Sequence, residues 1–117
     1  MRTLNELNDL TLNWSYNRGI LTNGNTQNQV LKLGSEFGEL CDNLAKGKSI
    51  KDDIGDMLVV LTNISKLEGY TLAECWNHAY EDIKDRRGFL NANGTFIKST
   101  DANYEQLLME FNDNKNA

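Results

Sequence analysis

An all-α fold, an antiparallel four-helix bundle followed by a short C-terminal hairpin and a fifth helix, is predicted by three features of the sequence. Proline is absent from all 117 residues, so nothing of that kind breaks a long helix from within. Four segments repeat apolar residues at steps of three and four. Each of the four opens on a capping signal and closes near a glycine. Length and a hydrophobic share of 39% suit one domain over residues 1–117, with a core at about 26–98 and an extension over 99–117.

Taken in order, Thr3 and Glu6 form a capping box ahead of Leu4, Leu7, Leu10 and Trp14, and Gly19 stops this first helix. A polar turn over 21–25 follows. Thr26 with Gln29 is read as a second box, opening a helix whose seam is Val30, Leu33, Phe37, Leu40 and Leu44. Gly47 breaks it, and Ser49 with Asp52 restarts the chain. Ile50, Ile54, Met57, Leu58, Leu61, Ile64 and Leu67 make the third helix the most apolar, and hence the expected centre, up to Gly69. Thr71 and Glu74 open the fourth, which carries Leu72, Cys75, Trp76, Ala79 and Ile83 to Gly88, with Lys84, Arg86 and Arg87 suiting the dipole of its last turn. Residues 89–92 and 95–98 then read as two strands about a two-residue turn at Asn93 and Gly94. Asp101 is the expected cap of a last helix with Tyr104, Leu107, Leu108 and Phe111 on one face, and 112–117 is expected to fray.

Twelve Lys and Arg against seventeen Asp and Glu leave a net charge of −5, which argues against a nucleic-acid partner or an anionic membrane. The longest apolar run, 57–61, is far short of the ~20 residues that span a bilayer. The opening residues do not resemble a signal peptide, and the expected location is the cytoplasm, that of the host if the chain is phage-encoded. Cys41 and Cys75 lack metal-ligand spacing and read as small buried thiols. Four short helices with seams on more than one side leave apolar surface uncovered, which predicts a homodimer or homotetramer.

The chemistry lies in the acids. Glu36 and Glu39 share one face of the second helix, and Asp53 and Asp56 share one face of the third. Lys32, Glu36, Glu39 and Asn43 form a stripe beside one seam; Asp53, Asp56, Val60 and Asn63 form a stripe beside the other. If the seams meet, the carboxylates converge, and a cation offsets their repulsion. Oxygen ligands without His or Cys favour magnesium, with manganese as the usual substitute. Magnesium keeps waters and takes substrate phosphates, which points to a nucleotide or another polyphosphate. A di-iron bundle needs Glu-x-x-His motifs, and the one histidine, His78, does not supply them.

Glu36-x-x-Glu39, with Lys32 one turn upstream and Leu40 following, and then Asp53-x-x-Asp56, resemble the paired acids of the MazG-like all-α nucleoside triphosphate pyrophosphohydrolases, in their short phage and bacterial forms. That family has Glu-x-x-Asp in the second pair, so Asp53 is a shorter acid than its pattern calls for. The run from Glu81 to Gly88 resembles the basic close of the family's fourth helix, and residues 94–98 its tail; the likeness covers about 26–98.

The resemblance implies magnesium-dependent cleavage of a ribo- or deoxynucleoside triphosphate between its α- and β-phosphates. Glu36, Glu39, Asp53 and Asp56 would hold the metal. Glu39, with Glu36 beside it, is the candidate to take a proton from water. Lys32, Lys84 and Arg87 are candidates for phosphate oxygens, and Asn63 for sugar or base. Trp14, Trp76 and Tyr80 read as core rather than as base-stacking groups. Two alternatives stand beside the enzyme: a non-catalytic helical interaction module, and a nucleotide sensor without turnover.

Overall fold

The computed structural model describes residues 1–116; Ala117 lies outside them. Among the described residues, six helices and one two-stranded sheet follow in the order α1 (Leu4–Asn17), α2 (Ile20–Asn23), α3 (Thr26–Ala45), α4 (Lys51–Leu67), α5 (Leu72–Ile83), β1 (Gly88–Leu90), β2 (Phe96–Lys98) and α6 (Tyr104–Asn116). The chain divides into two compact units, Met1–His78 and Ala79–Ala117.

The helix starts follow local chemistry. In α1 both halves of the capping box form: Thr3 Oγ1 accepts from the Glu6 N–H at 3.1 Å, and Glu6 Oε1 accepts from the Thr3 N–H at 3.3 Å. Gly19 then turns the chain at φ +76°. Residues 20–23, expected as an open turn, wind into the single turn of α2. Asn25 caps α3 in place of the expected Thr26: its side-chain oxygen accepts from the Asn28 N–H at 2.8 Å. Ser49 does not cap α4. Ile50 holds that position, and the Ser49 hydroxyl instead accepts from the Lys51 N–H.

In the first unit, α3 and α4 form the most extensive pair, and α1 and α2 also pack on α4, which makes α4 the central element as its apolar character predicts. The buried line differs from the predicted seams. On α3, Val30, Phe37 and Leu44 are exposed, Leu33 and Leu40 are half-buried, and Glu36 is buried. On α4 the buried residues are Asp53, Val60, Thr62, Asn63 and Ser65. Thr62 and Ser65 satisfy their hydroxyls on the carbonyls of Leu58 and Leu61, one turn back. On α1 the fully buried residue is Ser15, while Leu4, Leu7, Leu10 and Trp14 face solvent. On α1 and α3 the buried line therefore runs along the flank of the apolar seam.

In the second unit the predicted hairpin forms, with Gly88 opposite Lys98, Phe89 opposite Ile97 and Leu90 opposite Phe96. Its loop is longer than two residues. The Asn91 side chain accepts from the N–H groups of Asn93 and Thr95, and Gly94 adopts φ +79°, so five residues close the turn. A side chain at position 88 would meet the Phe96 ring at 2.5 Å, which is why glycine opens β1. Phe89 stacks on Phe111 at 4.8 Å between ring centroids and tilts against Tyr104 at 6.1 Å. Asp101 does not cap α6; its carboxylate accepts from the Lys98 N–H and closes the preceding turn. The helix continues through 112–116, where fraying was expected.

Candidate metal centre

The connection 46–50 returns the chain so that Asn43, late on α3, meets Asp53, early on α4, while Glu36, two turns earlier, lies beside Asp56. This antiparallel register brings three of the four predicted acids together. One carboxylate oxygen from each of Glu36, Glu39 and Asp56 lies within 4.8 Å of the others. Glu36 is buried, Asp56 half-buried and Glu39 exposed, so the cluster runs from the helix interface out to solvent.

Lys32 Nζ pairs with Glu36 Oε1 at 3.1 Å, one turn away on α3. The other oxygen, Glu36 Oε2, is buried and has no hydrogen-bond partner. A buried carboxylate oxygen without a donor is costly, and it is the atom a cation would satisfy. Like charges at this range also resist ionisation. The negative charge of Glu36, followed by desolvation, holds the Glu39 carboxyl above its ordinary value. Desolvation, followed by the charges of Asp52 and Glu36, does the same to Asp56. The hydrogen bond and charge of Glu36 raise Lys32 in turn. The donor set is all oxygen, of the kind that suits a hard divalent cation.

Asp53 stands apart from the three-acid cluster. Asn43 Nδ2 donates to both of its carboxylate oxygens, at 3.2 and 3.0 Å. The shorter Asp side chain, buried in the helix interface, is thus spoken for by an amide. Asn43 was placed on the acid stripe by its spacing, but its partnership with Asp53 needed the α3–α4 register, which no single helix reveals.

Asn63 is almost fully buried on α4, and its Oδ1 has no hydrogen-bond partner; Ser15 Oγ is in the same condition on α1. Nothing in the spacing of α1 marked Ser15. Lys84 and Arg87 belong to the second unit and do not share a helix face, because α5 ends at Ile83. The hairpin draws the chain out of the helix: the Arg87 carbonyl accepts from the Ser99 N–H, next to β1. Lys84 pairs with Glu81 at 2.7 Å, and the Arg87 guanidinium lies 5.8 Å from the Tyr104 ring centroid.

Trp14, Trp76 and Tyr80, expected in the core, are exposed, and Arg18 lies over the Trp14 ring at 4.3 Å. Both cysteines are exposed rather than buried, and α5, which carries Cys75, buries none of its residues. None of the described helices is long and apolar enough to cross a membrane.

Comparison with known proteins adds one relative. Over 55 residues, 45% of this chain, the sequence is 44% identical to a Haemophilus phage HP1 (strain HP1c1) protein described as an uncharacterized 18.2 kDa protein in the rep-hol intergenic region. The matched stretch is 34% of that protein, so the chain spans about a third of the relative's length. No protein-family profile matches the chain. No solved structure matches it.

Proposed function

We propose that this chain is a magnesium-dependent nucleoside triphosphate pyrophosphohydrolase of the MazG-like kind, acting in the cytoplasm of a phage host and releasing a nucleoside monophosphate and pyrophosphate. The observation that carries the reading is the convergence of Glu36, Glu39 and Asp56 around a buried carboxylate oxygen that no donor satisfies. Three acids at this spacing repel a bare triphosphate, so a cation has to mediate between them.

Glu36, Glu39 and Asp56 would hold the metal, and Asn43 binds both carboxylate oxygens of the neighbouring Asp53. When bound, magnesium supplies charge neutralisation to the phosphate oxygens and lowers the pKa of a coordinated water. Glu39 is the solvent-facing member of the cluster, which suits it to take the proton of an attacking water. A water attacking the α-phosphorus would form the new bond there as the α–β anhydride bond breaks, with its proton passing to Glu39 and pyrophosphate leaving. Lys32, held beside the acids by Glu36, is positioned for a phosphate oxygen. Asn63, buried on α4 with an unpaired carbonyl, is the candidate for the nucleoside.

The test is a panel of ribo- and deoxynucleoside triphosphates incubated with magnesium or with EDTA, with monophosphate, diphosphate, phosphate and pyrophosphate resolved. Metal-dependent monophosphate plus pyrophosphate, lost in Glu39→Gln, is the expected result. No turnover and no metal binding would leave an acidic helical interaction module.

A further inference from the structure

Three side-chain ion pairs form among the described residues, and one is unlike the others. Lys46 with Asp42 and Lys84 with Glu81 join exposed side chains, whereas Lys32 pairs with a Glu36 side chain that is 9% exposed. The Lys32 side chain itself is 57% exposed. One end of this pair is thus fixed in the α3–α4 interface, and the other is free to leave. An exposed lysine gains little from such a pair and gives it up readily. Glu36 cannot follow its partner into water.

The ammonium also sits where a metal ion would act. Glu36 acts on it most, through a hydrogen bond and its charge, and the charges of Glu39 and Asp56 act on it as well. These are the three carboxylates whose oxygens lie within 4.8 Å of one another. Lys32 Nζ takes Glu36 Oε1 at 3.1 Å and leaves the buried Oε2 without a donor. One ammonium on one oxygen therefore offsets the charge of the cluster only in part. A divalent cation brought onto Oε2 would stand one carboxylate away from the ammonium, and the two positive charges repel. Lysine suits a post that has to be given up: its ammonium is a compact, strongly hydrated charge on a flexible stem, whereas the fork of an arginine would grip both carboxylate oxygens.

We propose, on the metal and triphosphate reading of these acids, that Lys32 is a placeholder cation: it holds Glu36 while no metal is bound, leaves when a divalent ion arrives, and carries its charge to a phosphate oxygen. The ion and Lys32 compete for one carboxylate, so a divalent ion alone binds below the affinity that the acids by themselves would give. A polyphosphate offers the displaced ammonium a second anion, and thereby couples metal binding to substrate binding. Removal of Lys32 has opposite effects on the two ligands. Metal alone binds more tightly, and triphosphate less.

Manganese titration of the full chain without nucleotide, followed by electron paramagnetic resonance, tests it. Lys32→Met should bind the ion about tenfold more tightly than the wild type, while Lys46→Met, which loses a pair with Asp42 outside the cluster, should match the wild type. Magnesium should also raise the acetylation of the Lys32 amine by acetic anhydride, read by mass spectrometry, and leave that of Lys46 unchanged. Equal or weaker binding by Lys32→Met, an equal gain in Lys46→Met, or a Lys32 amine no more reactive in magnesium than in EDTA overturns the placeholder role while the metal centre stands. Binding by neither the wild type nor Lys32→Met overturns the metal centre, and the placeholder with it. Should Lys32→Met fail to fold, Lys32→Arg decides at unchanged charge: weaker binding than the wild type is expected, and equal or tighter binding overturns the role.

Discussion

Asn43 and Asp53 show how a single contact carries weight at this interface. Asp53 is buried and relies on the Asn43 amide for both oxygens. Asn43→Ala should therefore cost about 1–3 kcal/mol, read as a lowered urea midpoint, because it strands a buried acceptor rather than merely deleting a bond. Glu39 behaves in the opposite sense. Its raised pKa means that the folded chain binds the proton more tightly than the unfolded one, so its contribution is present below the ordinary value of 4.5 and is lost as pH rises through the folded value. Asp56 follows the same sign from 3.8 upward. In EDTA, Glu39→Gln should raise the urea midpoint at pH 7 and leave it nearly unchanged near pH 4, and magnesium should remove the difference at pH 7 by stabilising the wild type. At this scale much was legible: the spacing alone selected Glu36, Glu39, Asp53 and Asp56, and three of these four converge. What it could not give was the separation of Asp53 from them, which depends on a partner ten residues away in sequence.

Among the elements, the starts and stops were the most readable, since a capping box or a left-handed glycine acts over three or four residues. Thr3, Glu6, Gly47 and Gly69 behave as their local chemistry dictates. Where two polar residues compete for the same cap, spacing alone favours Thr26 with Gln29, and Asn25 takes the position instead because its side chain meets the Asn28 N–H. Asn25→Ala should cost about 1 kcal/mol in stability, measured by thermal or urea unfolding, whereas Thr26→Ala should cost little. The last turn of α5 was misread for a different reason. Lys84, Arg86 and Arg87 match a helix dipole, but strand pairing through the Arg87 carbonyl competes for the same residues and wins. The buried faces of α1 and α3 were also displaced from their apolar stripes. Amphipathicity says that a stripe seeks cover; it does not say whether the cover comes from the same chain.

For the whole molecule, the helical class was legible from proline-free periodicity, and the hairpin from the composition change after Gly88. The division at His78 was not, because α5 runs through it without a glycine or a polar linker to mark it. The first unit buries Val60 and a set of polar residues and leaves large apolar side chains such as Trp14 and Phe37 exposed. The central claim, however, concerns the acids and the cation they would share. Manganese titration followed by electron paramagnetic resonance, which counts free ion directly, tests it with the least intervening chemistry. Saturable binding to the wild type, displaced by magnesium and weakened at least tenfold in Glu36→Gln and Asp56→Asn but not in Asp42→Asn, is the predicted result. No binding by the wild type, or equal binding by all three variants, would contradict it.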